Sequence, residues 1–115
     1  MTVTIYHNPR CSKSRATLAL LEEKGVQPKI IEYLNTPPSK AEMKRILKGL
    51  GMEPRDLMRK KEAPYKELNL ADDGLSRDAL IDAMLENPIL IERPVVVNEG
   101  KYALGRPPES VLDIV

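Results

Sequence analysis

The chain contains no tryptophan, no phenylalanine, a single cysteine and a single histidine among 115 residues. Without large hydrocarbon rings, its core must be built from Leu, Ile, Val, Ala and Met. One cysteine excludes an internal disulfide, and one cysteine with one histidine excludes a structural zinc site, so no bound metal is expected. The formal net charge is only +1 and the two signs are mixed along the chain. There is no basic tail or acidic block, and hence no footprint of nucleic-acid binding. No apolar run approaches the ~20 residues of a membrane span, and Met1-Thr2-Val3-Thr4 lacks the regions of a signal peptide. The expectation is a soluble cytoplasmic protein with no membrane partner. The even charge and lack of a heptad pattern suit a monomer. A chain of this length is expected to form one domain, 1–115, burying roughly two-thirds of its unfolded surface.

Residues 2–6 alternate as a strand, and 12–24 read as a helix closed by Gly25 after Lys24. Residues 29–34 form a second strand. Ser39 and Glu42 then make a capping box ahead of Met43, Ile46, Leu47 and Leu50, the i, i+3, i+4, i+7 pattern of an amphipathic helix. Between 52 and 74 come short helical pieces, Arg55–Arg59 and Tyr65–Leu70, separated by Pro64 and Gly74. Ser76 caps a further helix through Leu80, Ala83 and Met84. Pro94-Val95-Val96-Val97 reads as a buried strand that Asn98-Glu99-Gly100 turns into Lys101–Leu104, a hairpin. Pro107-Pro108-Glu109 opens a last helix carrying Val111, Leu112 and Val115. The fold class is therefore α/β, a mixed four-stranded sheet in the order β-α-β … β-β-α with a helical insertion at about 39–87.

Cys11 sits where the first strand, ended by Asn8-Pro9, gives way to the first helix. That places a thiol beside the unpaired N–H groups and positive dipole end of a helix, which favours thiolate and also seats an anion. A cysteine is most often an inert small core residue, but the flanking Pro9-Arg10 and Ser12-Lys13-Ser14-Arg15 are not core residues. His7 lies four positions before the thiol, either as a protonated imidazole supporting a thiolate or as a loop residue capping the strand end. Ser14 and Arg15 either donate to an oxyanion or thiolate or, for Arg15, serve as solvated helix surface. Only three residues separate Cys11 from Arg15, too few for the phosphate cradle of a cysteine phosphatase. A papain-like protease is excluded because the only histidine shares the thiol's own loop.

The loop His7-Asn8-Pro9-Arg10-Cys11-Ser12-Lys13-Ser14-Arg15 resembles that of the glutaredoxin-dependent arsenate reductases, a branch of the thioredoxin-like fold. The resemblance recurs in Leu57–Lys61, Pro64-Tyr65, Leu68–Asp72, Asn87–Pro94 and Gly105-Arg106-Pro107, in order and over nearly the whole chain. Arg10 and Ser12-Lys13 depart from the best-known members, which carry smaller uncharged residues there, and point to a subgroup. The resemblance implies a cis Arg93–Pro94 bond and a cluster of Arg59, Arg93 and Arg106 around the anion and Cys11. Fork-shaped arginine donors suit a tetrahedral oxyanion. It further implies reduction of arsenate to arsenite, with glutathione as co-substrate, glutaredoxin as the next reductant and no bound cofactor. The single cysteine independently requires an outside thiol to complete a cycle. Two other readings remain. One is a general glutathione-dependent thiol reductase resembling a monothiol glutaredoxin, from the Cys-x-x-Ser arrangement at Cys11 and Ser14. The other is a non-enzymatic Spx-type regulator, although Ser14 occupies the place of that group's second cysteine.

Overall fold

A computed structural model describes residues 3–115. The chain forms two compact units, one running up to Thr36 and resuming at Arg93–Val115, the other Pro37–Glu92.

The first unit carries the sheet. Strand β1 (Val3–His7) is followed by helix α1 (Ser12–Glu23) and strand β2 (Lys29–Glu32), and the chain returns as β3 (Val95–Asn98) and β4 (Lys101–Leu104). The strand order is β2-β1-β3-β4. β2 runs parallel to β1, as a helical crossover requires, while β3 and β4 are antiparallel neighbours joined by a tight turn. This is a mixed, thioredoxin-like sheet. The expected strand over 2–6 is Val3–His7, and Thr2 lies outside the described residues. The hairpin turn is Glu99-Gly100, both at positive φ (49° and 78°), the backbone that a two-residue turn demands and that glycine adopts freely. α1 closes with Gly25 N–H donating to Glu22 O (3.0 Å) and Val26 N–H to Leu21 O (2.9 Å), a Schellman ending.

Ile5, Leu21, Val96 and Val111 are fully buried together, with Val3, Leu18, Val26, Ala103 and Ile114 packed around them. Burying each such aliphatic chain contributes about 1.5–3 kcal/mol. The expected last α-helix is instead a 3-10 helix, Pro108–Asp113. Its i→i+3 bonds, Ser110 N–H to Pro107 O and Ile114 N–H to Val111 O, give a period near three. That period puts Val111 and Ile114 on the same inward side and leaves Val115 exposed.

The second unit is helical: α2 (Lys40–Leu50), a 3-10 turn (Pro54–Leu57), α3 (Ala63–Glu67), α4 (Arg77–Glu86) and a 3-10 turn (Pro88–Leu90). α2 packs on α4, and Met43, Ile46, Leu47, Leu80, Ile81 and Met84 are all buried. Ser39 Oγ accepts from Glu42 N–H and Ser76 Oγ from Ala79 N–H, both at 3.1 Å. The reciprocal half of the Ser39 capping box does not form, because the Glu42 carboxylate takes Arg45 instead, at 2.7 Å. Pro64 opens α3 rather than separating helices; a first-turn proline loses no helical hydrogen bond. The expected piece at Arg55–Arg59 stops at Leu57, and Met58 is extended, bridging Ile91. Among the described residues no helix is long and apolar enough to cross a membrane.

Gly105 follows β4 at a close approach. A Cβ there would lie 2.6 Å from Thr17 Oγ1 and 2.7 Å from the Pro94 ring, too near for either to stay in place. Gly105 N–H also donates to Pro94 O (2.9 Å). Gly105→Ala is expected to cost about 1–3 kcal/mol, as overpacking does, read as a lower urea midpoint by circular dichroism. An unchanged midpoint would mean that Thr17 and Pro94 yield without cost.

Candidate active site at the thiol loop

Cys11 is the N-cap residue of α1, with extended backbone (φ −94°, ψ 124°). Its N–H donates to Asn8 O and its carbonyl accepts from Arg15 N–H, both at 3.0 Å. The thiol is free and half-buried. It closes no cap hydrogen bond as a thiol, a weak acceptor, but sulfur at this position faces the first-turn amides. Burial pushes the Cys11 pKa up, and the Ser14 amide, the Arg93 guanidinium and the Lys13 amide more than offset it, so the net value lies below that of ordinary cysteine.

His7 ends β1 and is buried. Its Nδ1 lies 2.7 Å from Ser14 Oγ, and that oxygen also accepts from Asn8 N–H at 3.0 Å. Burial pushes the His7 pKa down, opposed by Glu32 and reinforced by Arg15. The imidazole is therefore neutral near pH 7, bonded to Ser14 rather than standing as a cation beside the sulfur. Of the two sequence readings, the structure favours the strand-end one. Ser14 is fully buried, so its hydroxyl belongs to this internal network and its backbone N–H is what reaches the thiol. Arg15 is exposed, and its Nη1 donates to Pro9 O at 2.9 Å, clasping the loop from outside. Asn8 Oδ1 accepts from Arg10 N–H (3.0 Å) in an Asx turn. The loop is thus held at four points around the sulfur.

Arg93 is 8% exposed, an unusual burial for a guanidinium, and hydrogen-bonds to Cys11. Its peptide bond to Pro94 is cis, as the resemblance implies; the Arg106–Pro107 bond is cis as well. Arg106 is exposed and reaches back, with Nε 3.4 Å from Arg93 O. Cys11, Ser14, Arg93 and Arg106 therefore belong to one unit. Arg59 belongs to the other, where its N–H donates to Leu90 O (2.7 Å) and its Nε faces Glu62 and Glu92 at 3.7 and 3.9 Å. Sequence reasoning missed Tyr33, whose buried hydroxyl takes hydrogen bonds from Asn8 and Arg93. Among the described residues no cluster of His, Cys, Asp and Glu is able to hold a metal.

An ionisable thiol at a helix N-terminus with a buried guanidinium beside it can bind a small anion and attack it. Known proteins resemble this chain over nearly its whole length. The ArsC family model matches residues 6–114. A Haemophilus influenzae protein named arsenate reductase is 53% identical over 116 residues, covering all of both chains. The Escherichia coli K12 protein named "Uncharacterized protein YfgD" is 61% identical over 98% of this chain and 96% of its own length. The solved structure of an arsenate reductase from Vibrio cholerae superposes with a TM-score of 0.96 at 59% identity, covering 100% of this chain and 98% of that one. The family model and these relatives span nearly the whole chain, and the chain belongs to the ArsC family.

Proposed function

We propose that this protein reduces arsenate to arsenite through Cys11. The observation that carries the reading is the sulfur itself: a half-buried thiol below its ordinary pKa, facing first-turn amides and the Arg93 guanidinium. The name of the Haemophilus influenzae relative supports arsenate as the oxyanion. Arg93 and Arg106 bind the oxyanion, Arg93 from buried, stiff backbone and Arg106 from the rim. Arg59 is already engaged with Glu62 and Glu92, so the reading does not depend on it. His7 and Ser14 act by keeping the loop closed around the sulfur.

The Cys11 thiolate attacks arsenic and displaces a protonated oxygen as water, leaving a sulfur–arsenic bond. A second thiol then attacks, and the two electrons that take arsenic from the +5 to the +3 state come from the pair of sulfurs. One thiol, one glutathione and arsenic acid become a mixed disulfide, arsenous acid and water. Cys11 is the chain's only cysteine, so the second thiol must come from outside. Glutathione is assigned that role and glutaredoxin the reduction of the mixed disulfide. Phosphate shares the shape and charge of arsenate but cannot accept these electrons, and acts as a competitor.

The test is arsenate-dependent NADPH consumption with glutathione, glutaredoxin and glutathione reductase. Sustained turnover is expected with all components, and no arsenite when the thiols are withheld, because Cys11 alone supplies only one of the two sulfurs that reduce arsenic. Consumption that does not depend on arsenate, together with a glutathione adduct on Cys11, would instead identify a general thiol reductase.

A further inference from the structure

We propose that Tyr33 is a positioning residue of the thiol site: its buried hydroxyl, hydrogen-bonded by Asn8 and Arg93, holds the Arg93 guanidinium beside Cys11. The proposal rests on the reading above for its consequence in turnover, but its core concerns the sulfur and is measurable without arsenate.

β1 is central, with His7 opposite Glu32 on β2 and Tyr6 opposite Val95 on β3. Extending both ladders past the strand ends brings Asn8, Tyr33 and Arg93 to one level. Tyr33 leaves the β2 edge there, because Asn35 and Thr36 N–H both turn back to Glu32 O at 3.0 Å. The side chain is only 1% exposed and is among the largest fully buried groups of the chain. A phenol so deep needs polar partners for its hydroxyl, and it has them in Asn8 and Arg93.

Each partner also serves the thiol. Asn8 supplies the carbonyl that receives Cys11 N–H, and Arg93 hydrogen-bonds the sulfur. Burial pushes the Tyr33 pKa up, so the group stays a neutral phenol throughout the range in which Cys11 ionises. A neutral oxygen can orient a guanidinium without neutralising it. An aspartate or glutamate at this place would quench the charge that the thiolate and an oxyanion need. A buried arginine with four rotatable bonds otherwise has several ways to point.

The test uses Tyr33→Phe, which keeps the ring and removes one oxygen, and reads the pH dependence of Cys11 alkylation by iodoacetamide. The midpoint is expected to rise by roughly half a unit to one unit, about a three- to tenfold loss of thiolate below the midpoint. Added to Arg93→Met, the same change is expected to give no further shift, because Tyr33 acts through Arg93. An unchanged or lower midpoint in Tyr33→Phe, or a fully additive shift in the double variant, overturns the proposal. Should Tyr33→Phe fail to fold, wild-type protein with 13Cζ-labelled tyrosine decides. One of its four tyrosine resonances is expected to move through the Cys11 midpoint, and four flat traces overturn it. If wild-type protein shows no arsenate turnover while these shifts appear, the reaction is wrong and the positioning role stands.

Discussion

Cys11→Ser is expected to reduce arsenate turnover at least about a thousandfold, to the protein-free background of the coupled assay. No other cysteine can substitute, and a serine hydroxyl does not ionise near neutral pH or donate electrons to arsenic. The loss is not expected to come from unfolding. Cys11 is an N-cap residue that closes no cap hydrogen bond, whereas serine is among the best N-cap residues, worth ~1 kcal/mol over residues that cannot cap. The variant should therefore melt at the wild-type temperature or slightly above it. Wild-type alkylation and turnover should share one acid limb. The reactive form is the thiolate, so both are full above the Cys11 midpoint and fall as pH drops through it. Because that midpoint lies below the ordinary cysteine value, the limb falls at lower pH than that of an ordinary cysteine. Turnover in Cys11→Ser above background would remove the nucleophile from the proposal.

The helix caps at Ser39 and Ser76, the hairpin after Val97 and the β-α-β start were legible in sequence because each is a local preference that nothing distant overrides. Elements decided by packing were not. The last helix carried an acceptable α pattern, yet becomes 3-10 because the core takes Val111 and Ile114 on one side. The sequence pattern extends strand β2 through Leu34, but its ladder ends with Glu32, where β1 runs out at His7. Cys11 was visible because its setting is local: strand end, turn, helix start. The cis bond at Arg93–Pro94, and Arg93 and Arg106 themselves, came from resemblance; the cis bond at Arg106–Pro107 had no signal at all. His7 stays open between two readings in the sequence for a simple reason. Spacing places it near the thiol but says nothing of burial, and burial is what makes it neutral and directs it to Ser14. Tyr33 was beyond reach because its role depends on two strand registers at once.

Arg93→Met should separate the two supports of the thiolate. The methionine fills much of the same buried volume while removing the charge and its hydrogen bond to sulfur. Burial of Cys11 then loses one of the influences opposing it, while the Ser14 and Lys13 amides remain. The alkylation midpoint is therefore expected to rise by roughly one unit, within the range that loss of an adjacent opposite charge produces, without reaching the value of a fully uncompensated buried thiol. Turnover should fall further than the thiolate fraction, because the same guanidinium is assigned to the oxyanion. A combined loss of about 30–100-fold in kcat/KM, with KM for arsenate raised, is expected. Arg93→Lys should recover the midpoint better than KM. A point charge serves a thiolate almost as well as a guanidinium, but a single ammonium cannot span sulfur, Tyr33 and an oxyanion together. If Arg93→Met leaves both midpoint and KM at wild-type values, the helix amides alone hold the thiolate and the anion must be bound elsewhere.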